Sequence, residues 1–578
     1  MTTTEATPAF ESSLWPRRIR AAFWIVGIVV AGVTAYTTRY FINGDAIVYV
    51  EMGESLRTGQ WLRLANLTYS PGYPLLLGIG QILLNTNPFN ELPMLRIVNF
   101  FCFLLAMCSC ELIMHFVKRD VNGRTPDGLS PLPYSLISAL CYSMFLVTSL
   151  VFVRLRLLNP DMLVLALTLA AVGIILRIRE EPLGYLKYAL LGSVTAAGYV
   201  VKSFFLPFSP VFLVLAGLCP GSWRKAVPRV GVTLVVMLIL SAPLIGVLSN
   251  RLGRFTYGEL GAHIYAMIIS GKGSPLYPEV LNLSPKVSQY LFDVDCTRPS
   301  GFDICYWHEG LRPDLNIPAH LRIIPGNAAQ VVTQTPWLLL IAAWYAALWK
   351  LGSARFKPWY PPSTVLILMV TALCGIALYC LVQMEPRYIA SFLFLGFTAL
   401  VVSLRYPSSD RKAARWTRML SAFLTCFFVA IVVHSLVDQS MRGLYSTEEK
   451  PSYREAFEHH VAVKDFLLEN GLQRGDFAAV VGGPPVYWAR LAGLRITAEV
   501  NGAADFLGSG RQGREQAIRS LREAGIKAVI AKGQALEKLG PEGWIHVPGT
   551  RDYFVLFPAA WIGKDPGSGS KGQGKKRP

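Results

Sequence analysis

Apolar residues in this chain recur in long unbroken runs, not at alternate positions. The runs fall at about 21–41, 94–116, 132–153, 162–178, 186–201, 204–219, 230–248, 336–350, 363–383, 388–404 and 419–437. Most approach roughly 17–22 residues, the length that crosses the hydrocarbon core of a bilayer. In lipid the backbone must satisfy its hydrogen bonds within each segment, so each run predicts a helix. An outer-membrane barrel would alternate with period 2, and these runs do not. The pattern predicts a mostly α, polytopic membrane protein with about 11 transmembrane helices.

Between the runs lie two long polar loops, 42–93 and 249–335. Inside the first, Tyr73-Pro-Leu-Leu-Leu-Gly-Ile-Gly-Gln-Ile-Leu-Leu is too short to span and predicts an interfacial helix. After the last run, residues 439–562 predict a small soluble α/β domain. Helix 455–470 precedes strand Phe477-Ala-Ala-Val-Val-Gly, helix 512–524 precedes Ala528-Val-Ile-Ala, and Tyr553-Phe-Val-Leu-Phe closes the domain. Residues 1–20 form a short amino-terminal segment, 21–438 the membrane domain, and 563–578 a basic tail of disordered composition.

Composition sharpens this picture. The chain is 52% hydrophobic and 16% charged, with a mean hydropathy of +0.39, against about 25% charged in an average soluble domain. The net charge of +18 does not predict a nucleic-acid partner, because Lys and Arg are spread over short loops as topology signals. The basic groups Arg17, Arg18 and Arg20; Lys118, Arg119 and Arg124; Arg177 and Arg179; Arg224, Lys225 and Arg229; Lys350, Arg355 and Lys357; and Arg405, Arg411, Lys412, Arg415 and Arg418 all fall on one side if the runs number eleven. The positive-inside rule makes that side the cytoplasm. The amino terminus is then cytoplasmic, led by an uncleaved signal anchor, and the 439–562 domain is extra-cytoplasmic.

Charges at membrane depth cost at least about 2.5–3.5 kcal/mol each, so they are functional or paired by default. Asp45 lies in Asn43-Gly-Asp-Ala-Ile-Val-Tyr, Asp161 in Asn159-Pro-Asp-Met, Lys202 in Val200-Val-Lys-Ser-Phe-Phe, and Glu385 and Arg387 in Met384-Glu-Pro-Arg-Tyr. The charge-derived topology puts all five at the outer face. A carboxylate there can take a proton from an incoming hydroxyl, and Lys and Arg can stabilise charge on a phosphate leaving group. Each residue also has a plainer account. Asp45 could cap an interfacial helix, Asp161 could be a turn or cap residue, Lys202 could snorkel, and Glu385 could pair with Arg387. Arg154 and Arg156 follow the third run and read more simply as snorkelling flanks.

Eight of ten cysteines lie in or beside apolar runs and read as small hydrophobes. Cys296 and Cys305 lie in a polar loop and predict a disulfide in an oxidising compartment. No metal-ligand cysteine spacing occurs. His263, His308 and His320 share the second loop without close ligand spacing. Asp293-Val-Asp295 has the D-x-D form but is a common tripeptide, and Gly482-Gly-Pro-Pro lacks a nucleotide-binding pattern and reads as a turn.

Four motifs in order resemble those of the GT-C superfamily of polyprenyl-phosphate-sugar glycosyltransferases, in the bacterial branch of aminoarabinose transferases and protein-mannosyltransferase-like enzymes. They are Asn43-Gly-Asp45-Ala with Glu51-Met-Gly-Glu-Ser-Leu-Arg-Thr-Gly-Gln-Trp61, then Tyr69-Ser-Pro-Gly-Tyr-Pro-Leu-Leu-Leu, then Asn159-Pro-Asp161-Met-Leu, then Glu385-Pro-Arg-Tyr388. The resemblance spans about residues 20–405. It implies a multi-pass enzyme of a bacterial plasma (inner) membrane that moves a sugar from a polyprenyl-phosphate carrier, with inversion, to a lipid, glycan or protein acceptor. Asp45 would be the catalytic base. Asp161, Lys202, Glu385, Arg387, Tyr69 and Tyr388 would contact substrate. The sequence departs from the family in having Ala46 after Asp45, where some members carry a second acid, and Tyr69-Ser70-Pro71 where a His or Lys often stands. No cofactor is implied; a divalent metal is compatible with the sequence and not required by it. The alternative from another class is a secondary transporter or lipid-linked sugar flippase, but transporters place their sites near the midplane between repeated halves, and no internal repeat is evident here.

Overall fold

Every apolar run folds as a helix, as the demand for internal backbone hydrogen bonds requires. The computed structural model describes residues 14–121, 129–270, 280–284, 287–290, 296–307, 313–350, 363–407, 411–481, 485–500, 510–533 and 543–558. Asp293 and Asp295, His308, Gly482 to Pro484 and the basic tail lie outside the described residues. The chain divides into one unit of residues 1–276 with 303–454 and another of residues 277–302 with 455–578.

The first unit holds α1 (Leu14–Thr37), α2 (Ala46–Thr58), α3 (Gly72–Leu83), α4 (Glu91–Val121), α5 (Tyr134–Leu146), α6 (Asp161–Glu180), α7 (Tyr185–Val201), α8 (Phe205–Leu218), α9 (Trp223–Leu252) and α10 (Leu260–Ile268). After two short turns, α11 (Pro299–Phe302) and α12 (Ile304–Trp307), of which only the second belongs to this unit, come α13 (Ile317–Gln334), α14 (Trp337–Lys350), α15 (Thr364–Cys380), α16 (Pro386–Ser403) and α17 (Arg411–Leu444). A short antiparallel pair, β1 (Leu129–Pro131) and β4 (Arg405–Pro407), joins two of the connections. Among the described residues seven helices are long and apolar enough to cross a membrane, or eight if α13 and α14, bent by 84° at their junction, make one span. The difference from eleven is one of length. The turn at Lys202 cuts α7 and α8 short, and the 14 residues of α8 extend about 21 Å, less than the roughly 30 Å hydrocarbon core.

The first polar loop folds into α2 and α3, and glycines set how they meet. A Cβ at Gly53 would stand 2.9 Å from both Gly78 N and Pro74 O, and one at Gly78 would stand 2.5 Å from Gly53 O. The two helices therefore cross backbone to backbone. A Cβ at Gly72 would stand 2.9 Å from Val200 O and from Val201 N, so the start of α3 packs on the end of α7, one residue before Lys202. These contacts bring the first loop against the α7–α8 turn.

The second unit is a seven-stranded sheet in the order β2 (Val280–Ser284), β3 (Val287–Tyr290), β6 (Arg495–Val500), β5 (Phe477–Val481), β7 (Ala528–Lys532), β9 (Tyr553–Leu556), β8 (Trp544–His546). Strands β6, β5 and β7 are parallel and the other pairings antiparallel. Helices α18 (Tyr453–Glu469), whose first two residues belong to the first unit, α19 (Tyr487–Ala492) and α20 (Gly510–Glu523) accompany it. Ala517, Ile518 and Leu521 of α20 pack on Ala479, Val481, Val529 and Leu556. The β2–β3 hairpin comes from the loop that the sequence groups with the membrane domain, yet β3 pairs with β6 from Val287↔Val500 to Gln289↔Ala498.

Candidate functional site

Asn43 fixes the approach to α2. Its Oδ1 accepts from Leu158 N at 3.0 Å and its Nδ2 donates to Leu158 O at 3.3 Å. Asn99 of α4 holds the same connection by donating to Leu155 O and Leu157 O, at 2.9 and 2.7 Å. The buried Arg96 donates to the carbonyls of Phe41 and Arg156. The first loop and the α5–α6 connection are thus tied together before any charged group is placed.

Asp45 stands at the start of α2, half-buried, and its side chain makes no capping hydrogen bond. Its Oδ1 accepts from the Tyr69 hydroxyl at 3.2 Å, and among the described residues it has no ion pair. A half-buried carboxylate with one hydroxyl donor retains lone pairs for another proton donor. Tyr69 is held in turn by its backbone N–H, which donates to Asn66 Oδ1 at 2.9 Å. Beneath that turn Asp303, fully buried, accepts from Leu67 N at 3.1 Å and from Thr68 Oγ1 at 3.0 Å, and pairs with Arg251 at 3.1 Å.

Asp161 is the first residue of α6, where a carboxylate is favoured by the helix dipole. It does not cap the helix with its side chain. Lys202 Nζ reaches its Oδ1 at 2.8 Å and Arg387 Nε its Oδ2 at 3.6 Å. Asp161 is only 4% exposed, against 21% and 28% for its partners. Lys202 therefore does not snorkel; it turns onto a buried acid. Its ammonium also lies 4.0 Å from the Tyr388 ring centroid, with the Arg387 guanidinium 5.1 Å from the same ring. Tyr379 stacks on both Phe204 and Tyr388, at 4.7 and 5.3 Å. One acid against two cations leaves this group a net positive charge.

Tyr49 connects the two carboxylates. Its ring meets Tyr69 at 5.1 Å and Tyr73 at 5.5 Å. Burial pushes its hydroxyl's pKa up, and Asp45, Tyr69 and Asp161 push it further, so the phenol stays protonated between two acids. Tyr49 and Asn43 were not singled out by type in the sequence. Both stand in or next to the acidic motif that was, and that proximity was the available signal.

Glu385 precedes α16, makes no capping hydrogen bond and forms no ion pair among the described residues. It lines a cavity of about 490 Å³ with Val151, Phe152, Arg154, Leu157, Gln334, Pro386 and Arg387. The Glu385–Arg387 bridge considered from the sequence is thus replaced by an Arg387–Asp161 bridge.

Cys296 and Cys305, expected as a disulfide, are thiols in this structure. They belong to different units, and each is buried. Cys305 packs with Ala65, Leu67 and Leu248, and burial pushes its thiol's pKa up. Its backbone N–H donates to Thr68 Oγ1 at 3.0 Å. His263 is buried, and His320 bridges the Tyr265 hydroxyl and Leu381 O, at 2.8 and 2.9 Å. Among the described residues no three His, Cys, Asp or Glu side chains gather to hold a metal.

No family model matches the chain, and no curated protein does. Among solved structures it is similar to ArnT from Cupriavidus metallidurans in the apo state, with a TM-score of 0.54 and 13% identity over 94% of this chain and 99% of that one. The same protein bound to undecaprenyl phosphate matches with a TM-score of 0.52 and 14% identity, over 94% and 98%. At this identity the likeness is one of fold, and the long apolar helices make it a multi-pass membrane fold.

Proposed function

We propose that this protein is a membrane glycosyltransferase that moves a sugar from a polyprenyl-phosphate carrier to an acceptor at the outer face of the plasma membrane, with inversion at the anomeric carbon. The observation that carries the reading is the pairing of one uncommitted carboxylate, Asp45, with a net-positive group built on a buried one, Asp161 with Lys202 and Arg387. Base and phosphate-stabilising cations are the two parts such a transfer requires. The fold shared with ArnT, one of whose structures holds undecaprenyl phosphate, supports the choice of carrier.

In the proposed reaction the acceptor oxygen attacks the anomeric carbon from the face opposite the phosphate. The bond from that carbon to the phosphate oxygen breaks, and its electron pair leaves with the carrier. Asp45 takes the acceptor's proton, with the Tyr69 hydroxyl keeping the carboxylate oriented. Lys202 and Arg387 stabilise the departing polyprenyl phosphate, and Glu385 and Tyr388 contact the sugar or its carrier. No step is routed through a metal.

The test is transfer from a radiolabelled polyprenyl-phosphate sugar by the full chain in nanodiscs, with a membrane extract as acceptor source. Asp45→Asn is expected to lower the rate about 10²–10⁴-fold, the usual contribution of a positioned general base, with the melting temperature unchanged. Full transfer by that variant would remove Asp45 from the role. Labelled sugar that crosses a vesicle membrane unmodified would replace the enzyme with a transporter.

A further inference from the structure

Helix α5 does not end as an α-helix. It continues as a π-helical segment, Val147–Val153, and stops at Arg154. Arg154 N donates back to Ser149 O at 3.2 Å, the five-residue spacing of that segment. Its φ is 62° and its ψ 104°. Only one other described non-glycine residue, Asn85, has a positive φ. A side chain with a Cβ occupies this region at a cost, and such residues gather where a site requires them.

Arg154 is on the wall of the 490 Å³ cavity that Glu385 and Arg387 also line. Its guanidinium Nε donates to Val151 O at 3.1 Å, and it has no carboxylate partner among the described residues. Among the described residues its main charged neighbours are Arg156, Arg387 and Arg442, with the acid Glu385 beside them. Arg156 is committed elsewhere, to the Phe41 ring at 5.1 Å and the Tyr453 hydroxyl at 2.8 Å. Lys202 and Arg387 are committed to Asp161. Arg154 is then the cation of this wall that is held by neither an acid nor a ring.

We propose that Arg154, presented into the cavity by the π-helical end of α5, binds the phosphate of the lipid carrier and takes up the charge that develops on it. This rests on the glycosyl-transfer reading above. A sugar-linked phosphodiester carries one negative charge, and breaking the bond to the sugar leaves a phosphate monoester that can carry two. Lys202 and Arg387 are half-neutralised by Asp161, so the added charge needs another cation. A planar guanidinium with unoccupied N–H groups suits phosphate oxygens.

Undecaprenyl phosphate and the uncharged undecaprenol, each titrated onto the full chain in nanodiscs, separate the alternatives. Arg154→Gly removes the cation and relieves the backbone, so its melting temperature should hold or rise. Its affinity for undecaprenyl phosphate should fall about 10- to 100-fold, the effect of losing a hydrogen bond to a charged group, while undecaprenol binding stays the same. Arg154→Lys should recover part of the loss. Undecaprenyl phosphate binding to Arg154→Gly with wild-type affinity would overturn the assignment and leave the transfer reading standing. Equal losses for both lipids would mark Arg154 as structural and overturn it too. Failure of the wild type to prefer the phosphate to the alcohol would sink both.

Discussion

Two groups of buried ionisable side chains, one in each unit, are handled in opposite ways. In the helical unit two buried acids are matched by cations: Asp161 by Lys202 and Arg387, and Asp303 by Arg251. In the sheet unit His460, 3% exposed, lies between the rings of Tyr487 and Tyr553, and burial holds its pKa down at about 3. Asp161 keeps its charge by compensation; His460 loses its charge to burial. A compensated buried charge is a weak contributor to stability, because desolvation offsets most of the attraction. Its persistence beside an uncommitted carboxylate therefore points to chemistry. A neutral buried histidine needs no such explanation, since it packs as an aromatic side chain.

The contrast is broken most strongly by removing the shared acid. Asp161→Ala leaves Lys202 and Arg387, both half-buried, without their shared acid; breaking a fully buried pair on one side costs about 3–5 kcal/mol, and this is the upper bound here. Thermal unfolding of the full chain in nanodiscs reads this as a large drop in melting temperature. The double variant Asp161→Ala with Lys202→Met should regain much of the stability and none of the transfer. If the double variant transferred sugar, the ion group would be scaffolding and the first unit would resemble the second. Asp303→Ala should also destabilise, because it removes the acid paired with Arg251 and the acceptor of Leu67 N and Thr68 Oγ1. It should also lower kcat through Tyr69 without touching substrate, and Tyr69→Phe should reproduce the kcat effect at little cost in stability.

A smaller effect tests whether the first loop's position matters as much as its charges. Gly53→Val forces α2 and α3 apart, since its Cβ would stand 2.9 Å from two backbone atoms. Overpacking of this kind costs about 1–3 kcal/mol. Asp45 sits at the start of the displaced helix, and a misplacement of about 1 Å can lower a rate by about 10²-fold. A variant that loses stability but keeps its kcat would show that the helix crossing does not position the proposed base.

The parts of this arrangement that were legible in the sequence are those with a local signature. Unbroken apolar runs marked the helices, Pro71 and the glycines around it marked the start of α3, and expensive charges marked Asp45, Asp161, Lys202 and Arg387 individually. What was not legible depends on residues far apart in the chain. Lys202 gave no sign that its partner was Asp161, 41 positions away, and not the lipid surface. Arg154 read as a flank because nothing in Val-Arg-Leu-Arg foretells a π-helical end with a positive φ. The β2–β3 hairpin gave no sign that it pairs with β6, some two hundred positions on. Two cysteines in one polar loop gave no sign that the chain would put them in different units.

A further test concerns the neutral side of the comparison and follows from linkage. His460 titrates near 6.5 in an unfolded chain and is pushed down to about 3 in the fold, by burial first and then by Lys532 and His459. Between these values the unfolded state binds the proton and the folded state does not. Stability is therefore full above pH 6.5 and declines as the pH falls toward 3, at a slope of up to about 1.4 kcal/mol per pH unit for one group. His459, whose pKa burial also lowers, acts in the same direction. Hydrogen exchange of the β5 and β7 amides in the full chain, corrected for intrinsic rates, should lose protection below pH 6.5. His460→Phe should flatten that dependence while leaving protection at pH 7.5 little changed, because the His460 Nδ1 makes no hydrogen bond to the described residues. An unchanged slope in His460→Phe would mean that acid acts on the ion pairs around this helix, such as Glu455 with Arg551 at 2.7 Å, and that the sheet unit too depends on compensated charge.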